Sequence, residues 1–230
     1  MRIVFLLSMF ISQNIWAITP EDILKKVDEI RNPAESYHMS VRIKSSGESE
    51  DSRFTVALKG NDKTLVKVLA PKKLLGRNML MLNENMWVYV PNLKRSVRVS
   101  LSQKLIGEAA NGDISRMRWA GDYDASITKE NKQEYELLLT QKKKGLTYAK
   151  IRAQVNKKDF RPIRADFLTM SGKTLKVAEY KSFKEIAGKM RPSLIHISDA
   201  LKKDSYSEIH IEKMEVRNLP DSMFSEKNLE

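Results

Sequence analysis

The stretch GRNMLMLNENMWVYVPNLKRSVRVS, Gly76 to Ser100, constrains the fold of this chain more than any other. Its β-forming residues lie between an Asn-Glu-Asn cluster and a Pro-Asn cluster, which predicts strand, turn, strand, turn, strand. In the first two strands both faces are apolar. Met79 and Met81 alternate with Leu80 and Leu82, and Met86, Val88 and Val90 alternate with Trp87 and Tyr89. A sheet with one side in water alternates apolar with polar residues instead. Both faces of this hairpin therefore need a cover, supplied by the chain itself or by a bound apolar molecule.

The segments around it read as a meander. Thr19-Pro20-Glu21-Asp22 is a helix start, with a Thr cap, Pro at the first helical position and an acid three residues after the cap. Ile23, Leu24, Val27 and Ile30 form an apolar stripe at helical spacing, and Asn32-Pro33 ends it. From Ser36 the period becomes two: Tyr37, Met39, Val41 and Ile43, then Phe54, Val56 and Leu58, alternate with polar residues, and Thr64 to Ala70 follows as a third strand. Leu101 to Ser126 breaks the pattern with Gly, Asn and Asp. It predicts a lid or binding loop with short helices near Leu101 to Ala109 and Ile114 to Trp119. Strands resume at Tyr135 and recur to Val216, for about eleven to thirteen in up-and-down order and no boundary between domains.

Composition bounds the function classes. Met1-Arg2, the apolar run Ile3 to Ile11 and the polar stretch to Ala17 have the three-part form of a secretory signal peptide, so residues 18–230 are expected as one mature domain in the periplasm. The apolar run is well short of the roughly 20 residues that span a bilayer. No cysteine is present, which excludes disulfides, thiol catalysis, Cys-based zinc sites and lipidation at an N-terminal cysteine. The formal charge of +12 favours anionic partners, and export disfavours nucleic acid among them.

Catalytic patterns are missing from the sequence. His38, His196 and His210 stand far apart at alternating strand positions, without metal-ligand spacing, and read as exposed strand residues. Asp122 and Asp124, around Tyr123, read as turn residues beside Gly121. The run Lys94, Arg95, Arg98 and Lys104 follows directly on the apolar hairpin; it is either a solvated strand face or a patch for acidic headgroups or an acidic partner.

Several separated blocks carry a resemblance. GRNMLMLNENMWVYVPNLKRSVRVS, NGDISRMRWAGDYDA, YAKIRAQVNKKDFRPIRADF with SGKTLKVAEY, and RPSLIHISDALKK with MEVRNLPDSMFS together resemble the outer-membrane lipoprotein-sorting protein family, the LolA-like superfamily, in its broader branch often encoded beside RND-type exporters. The resemblance implies a mainly β, α+β fold: an unclosed antiparallel β-barrel whose concave face is covered by helices over an apolar cavity for acyl chains. It implies lipoprotein or lipid as the bound partner, transient membrane contact, an inner-membrane RND-type exporter as a further partner, and no cofactor or catalysis.

On this basis Met79, Met81, Trp87, Tyr89, Met117, Trp119 and Phe167 are the expected lining of the site, and Lys94, Arg95 and Arg98 the expected contacts for a headgroup or partner. Two functions remain open at this point: a carrier of acylated cargo, and an adaptor that docks on an exporter without cargo. The parity of the hairpin, and hence the face on which Trp87 and Tyr89 stand, is undetermined by the sequence.

Overall fold

A computed structural model describes residues 18–32, 35–60, 62–202 and 204–229. The signal-peptide expectation for residues 1–17 lies outside them. Helix α1 (Pro20–Arg31) leads into a first meander of six strands: β1 (Ser36–Ser45), β2 (Ser52–Lys59), β3 (Lys63–Ala70), β4 (Met79–Leu82), β5 (Asn85–Val90) and β6 (Arg95–Val99). An insertion follows, with the small hairpin β7 (Lys104–Ile106) and β8 (Ala109–Ala110) and the short helix α2 (Asn111–Ser115). The second meander comprises β9 (Tyr123–Glu130), β10 (Glu134–Gln141), β11 (Lys150–Asn156), β12 (Pro162–Leu168), β13 (Thr174–Ile186), β14 (Lys189–Asp199) and β15 (Tyr206–Val216).

The two meanders form one antiparallel sheet of 13 strands because the last strand pairs with the first: Val41 faces Ile211 and Ile43 faces Ile209 across β1 and β15. The free edges are β6 and β9, so the sheet curls into a half-barrel that does not close. The insertion between these two edge strands crosses the concave side. Helix α1 buries Ile23, Leu24 and Val27 against that side, each contributing about 1.5–3 kcal/mol. Its start is capped as the sequence requires, with Thr19 Oγ1 accepting the Asp22 N–H at 3.1 Å.

Two local expectations are corrected. The segment 101–109 is not helical, because Gly107 turns the chain at φ +54 and sends β8 back along β7. A side chain there would strike the hydroxyls of Ser45 and Ser207, which hydrogen-bond each other at 2.7 Å beneath the turn. The expected helix at 114–119 starts earlier and ends at Ser115. Beyond it Arg116 is drawn off to Asp122 and to the Asn83 carbonyl. Strand β9 also occupies residues read from sequence as part of the strandless insertion.

The insertion is fastened at many points, in contrast to a free loop. The Ser115 carbonyl accepts Thr64 Oγ1 at 2.7 Å, Ser207 Oγ accepts the Glu108 N–H at 2.7 Å, and Asp28 Oδ2 accepts the N–H groups of Trp119 and Ala120 at 2.8 and 2.6 Å. Gly112 approaches Thr147 so closely that any side chain would clash.

Candidate functional site

The pairing Met79 to Val88 to Val97 sets the parity of the hairpin. Met79, Met81, Met86 and Val88 face the concave interior; Leu80, Leu82, Trp87 and Tyr89 face outward. The structure therefore divides the seven expected lining residues among three places. Met79 lines an open groove, and Met81 is fully buried in the core on the same face. Met117, Trp119 and Phe167 are buried in the interior of the second meander. Trp87 and Tyr89 stand on the opposite face, away from all the others.

The groove has a volume of about 410 Å3, within the range of small-molecule pockets. Its wall is the concave face of β2 to β6, carrying Phe54, Val68, Met79, Val88, Val90, Val97 and Val99. Leu74 closes it from the β3–β4 loop, and Leu105 from β7. Its polar groups are Arg77, Gln103, Lys104 and Asn111, of which Arg77, Gln103 and Lys104 are exposed. Asn111 is buried and spends its amide on the Ser100 carbonyl at 3.0 Å. The arrangement presents a mixed trough, aliphatic on its sheet wall and polar and positively charged along its border. It can hold a flexible apolar chain by burial and attract an anion beside it, and it brings together no nucleophile and base.

The other half of the concave side is filled. Trp119 meets Tyr180 edge to face at 6.4 Å, the Arg31 guanidinium lies 3.7 Å over the Trp119 ring, and Tyr148 stacks on Phe167 at 3.8 Å. Only about 30 Å3 is left among these side chains, room for about one water. Ionisable groups run through this plug. Asp28 takes Arg31 at 3.3 Å, Arg116 is held by both oxygens of Asp122 at 2.5 and 2.7 Å, and Asp113 accepts the Ala110 N–H at 2.8 Å and the Tyr148 hydroxyl at 3.1 Å. Burial pushes the Asp113 carboxyl up to about 6, against the opposing pull of the Ala110 N–H. Burial also raises Asp28, although Arg31 and two backbone N–H groups favour its ionised form.

The outward face of the hairpin is covered by the C-terminal segment. Leu219, Phe224 and Leu229 bury themselves against Ala57, Leu65 and Leu80, with Trp87, Tyr89 and Met223 partly buried beside them. Lys59 donates to the Leu219 carbonyl at 2.8 Å, Asn78 to the Leu229 carbonyl at 3.0 Å, and Asp221 sits between Lys59 and Lys63 at 3.0 and 2.9 Å. Those two lysines hold the Asp221 carboxyl below the usual carboxylate range. A second hollow of about 500 Å3 lies beside this segment, on the outer face, lined by Ala57, Leu65, Pro220 and Met223 together with His38, Thr55, Lys67, Ser222 and Asn228.

The expected basic contacts also separate. Arg98 pairs with outward-facing Trp87 and reaches the Asn85 side chain, whereas Arg95 opens β6 in phase with Val97 and Val99 of the groove. Lys94 forms the left-handed turn, φ +47, that connects β5 to β6. His196 and His210, half-buried on their strands, flank Glu208 at 3.8 and 3.2 Å. The groove valines Val88, Val90, Val97 and Val99 were not singled out from sequence. Their alternation was visible, but without the register nothing distinguished their face from that of Trp87.

The fold is an open antiparallel half-barrel with an aliphatic-walled groove on its concave face. The chain belongs to the LolA superfamily: it is 36% identical to a LolA superfamily protein from Nitrosomonas europaea, with a TM-score of 0.84 over 92% of this chain and 100% of that one. A family model described only as an uncharacterized protein matches residues 60–230. The fold is shared with an outer membrane lipoprotein-sorting protein domain from Vibrio parahaemolyticus, 19% identical with a TM-score of 0.74 over 91% of this chain and 97% of that one. It is shared also with a DUF1329 family protein from Desulfovibrio piger, 19% identical with a TM-score of 0.77 over 93% and 100% of the two chains. No curated protein matches. Among the described residues no helix is long and apolar enough to cross a membrane.

Proposed function

We propose that this protein is a periplasmic carrier that holds an acyl chain of a lipid or lipoprotein, non-covalently, for transfer toward the outer membrane. The observation that carries the reading is the groove: about 410 Å3 walled by valines, leucines, Met79 and Phe54, with Arg77, Gln103, Lys104 and Asn111 along its border, on the concave face of a LolA-superfamily half-barrel. Each buried methylene contributes about 0.8 kcal/mol, so roughly ten would supply about 8 kcal/mol before the cost of association. Valine walls suit such cargo because they are stiff and short, leaving width for a chain without polar atoms to satisfy. The reading requires no catalysis and no cofactor.

Native mass spectrometry of protein released gently from the periplasm tests it, together with displacement of an apolar fluorescent probe by added lipid. Co-purified lipid or lipoprotein, and probe displacement lost in Val97→Asp, are expected. A clean apo mass with no probe binding would sink the carrier and leave docking on an RND-type exporter as the better account.

A further inference from the structure

The loops β3–β4 and β5–β6 leave the sheet at the same end, because the register runs from Val66 through Met79 and Val88 to Val97. They touch: a side chain at Gly76 would come within 3.0 Å of the Pro91 ring. Each loop holds a leucine out in solvent, Leu75 at 47% and Leu93 at 55% exposure, although a loop has no packing requirement for either. Lys72, Lys73, Arg77, Lys94 and Arg95 surround the pair, and neither loop contains an acid. Only Lys73 of these five has an ion pair among the described residues, with Glu48 of the neighbouring β1–β2 turn at 3.3 Å; that turn also carries Glu50 and Asp51, and Asp51 is engaged by Arg42 at 2.8 Å. Residues 63–107 hold nine cations and one acid, Glu84, which is taken by Lys143 and Arg116; outside that stretch Asp221 pairs with Lys63 and Glu108 with Lys104.

We propose that these two loops form a tip that docks the protein on an anionic bilayer surface, with the groove opening toward the lipid. Exposed aliphatic side chains ringed by cations match the boundary between acyl chains and acidic headgroups. An acidic protein would satisfy the cations equally. The bilayer is favoured by adjacent residues of one loop: Leu74 points into the groove while Leu75 points out of the molecule. A chain leaving a membrane past Leu75 would meet Leu74 and then the valines, staying in apolar contact throughout. This inference takes the groove to be the acyl site.

Flotation with vesicles tests it, using phosphatidylglycerol mixed into phosphatidylcholine against phosphatidylcholine alone. Wild-type protein is expected to float with the acidic vesicles, roughly ten-fold less with neutral ones, and less as salt is raised. Leu75→Ser with Leu93→Ser, and separately Lys72→Glu, Lys73→Glu, Lys94→Glu and Arg95→Glu together, should each weaken flotation at least about ten-fold while the apolar probe binds as before without vesicles. Wild-type protein that stays behind, or variants that float like wild type, would overturn the docking surface. The groove variant Val97→Asp should float normally but lose the probe. Flotation with no probe binding in wild type would instead remove the acyl site and leave the tip standing.

Discussion

The two halves of the concave face are built from the same curved sheet yet treat its interior differently. In the first half, short valines on β3, β5 and β6 leave a groove of about 410 Å3; in the second, Trp119, Tyr123, Tyr148, Phe167 and Tyr180, with Arg31 among them, leave about 30 Å3. Backbone curvature makes the room available to both. Side-chain volume, and the insertion residues that dip into one half, decide which half stays open. The difference teaches that where large aromatics fill the interior little space is left, whereas the half walled mainly by valines, with Phe54 and Met79, keeps a groove open.

The sharpest way to break this contrast is Trp119→Ala. Truncation deletes the centre of the plug and should cost about 3–5 kcal/mol in denaturant unfolding, with any probe affinity that survives in the folded fraction unchanged. A variant of wild-type stability with altered ligand affinity would mean that the second half is part of the site.

A smaller effect is expected from acid. The Asp113 carboxyl, at about 6 in the folded protein against an ordinary 3.8, binds its proton more tightly when folded. Its contribution to stability is therefore complete below about pH 4 and lost as pH rises through about 6, at most about 3 kcal/mol. Wild-type protein should be more stable at pH 5 than at pH 7.5, and Asp113→Asn should flatten that difference. Equal slopes in the two proteins would remove Asp113 as the cause.

The groove half should respond in affinity and not in stability. Val88→Phe fills the trough and is expected to weaken the apolar probe about ten-fold, a change of about 1.4 kcal/mol, with unfolding shifted by less. The smallest effect on binding belongs to the outer face. Trp87→Glu should loosen the C-terminal segment, seen as faster amide exchange around Leu219 to Leu229, while the probe binds as in wild type. Loss of probe binding there would join the two faces into one site.

Much of this architecture was legible in advance. The cap at Thr19, the period-two strands and the cover required by both faces of the hairpin followed from propensity, alternation and the cost of exposed apolar surface. The position of the open space was not legible. Met79 and Val88 share a face only because β4 and β5 pair as they do, and with apolar residues on both sides a shift of one residue leaves the sequence pattern equally satisfied. Trp87 and Tyr89 are large aromatics in an apolar hairpin, but their partners Phe224 and Leu229 lie over 130 residues away in a tail with no strand pattern. Gly107 signalled a turn, yet only the hydroxyls of Ser45 and Ser207 beneath it explain why the insertion folds as a hairpin there.

The sequence alone determined that this chain forms an up-and-down antiparallel sheet with an amphipathic helix ahead of it and a basic surface. Those properties are local: they depend on residue spacing, side-chain type and total charge. Tertiary structure decided which apolar face is filled by the protein's own aromatics, which is covered by its C-terminal segment, and which remains as a groove. Empty volume belongs to no residue. It is the difference between the space a curved sheet encloses and the side chains that distant segments place within it.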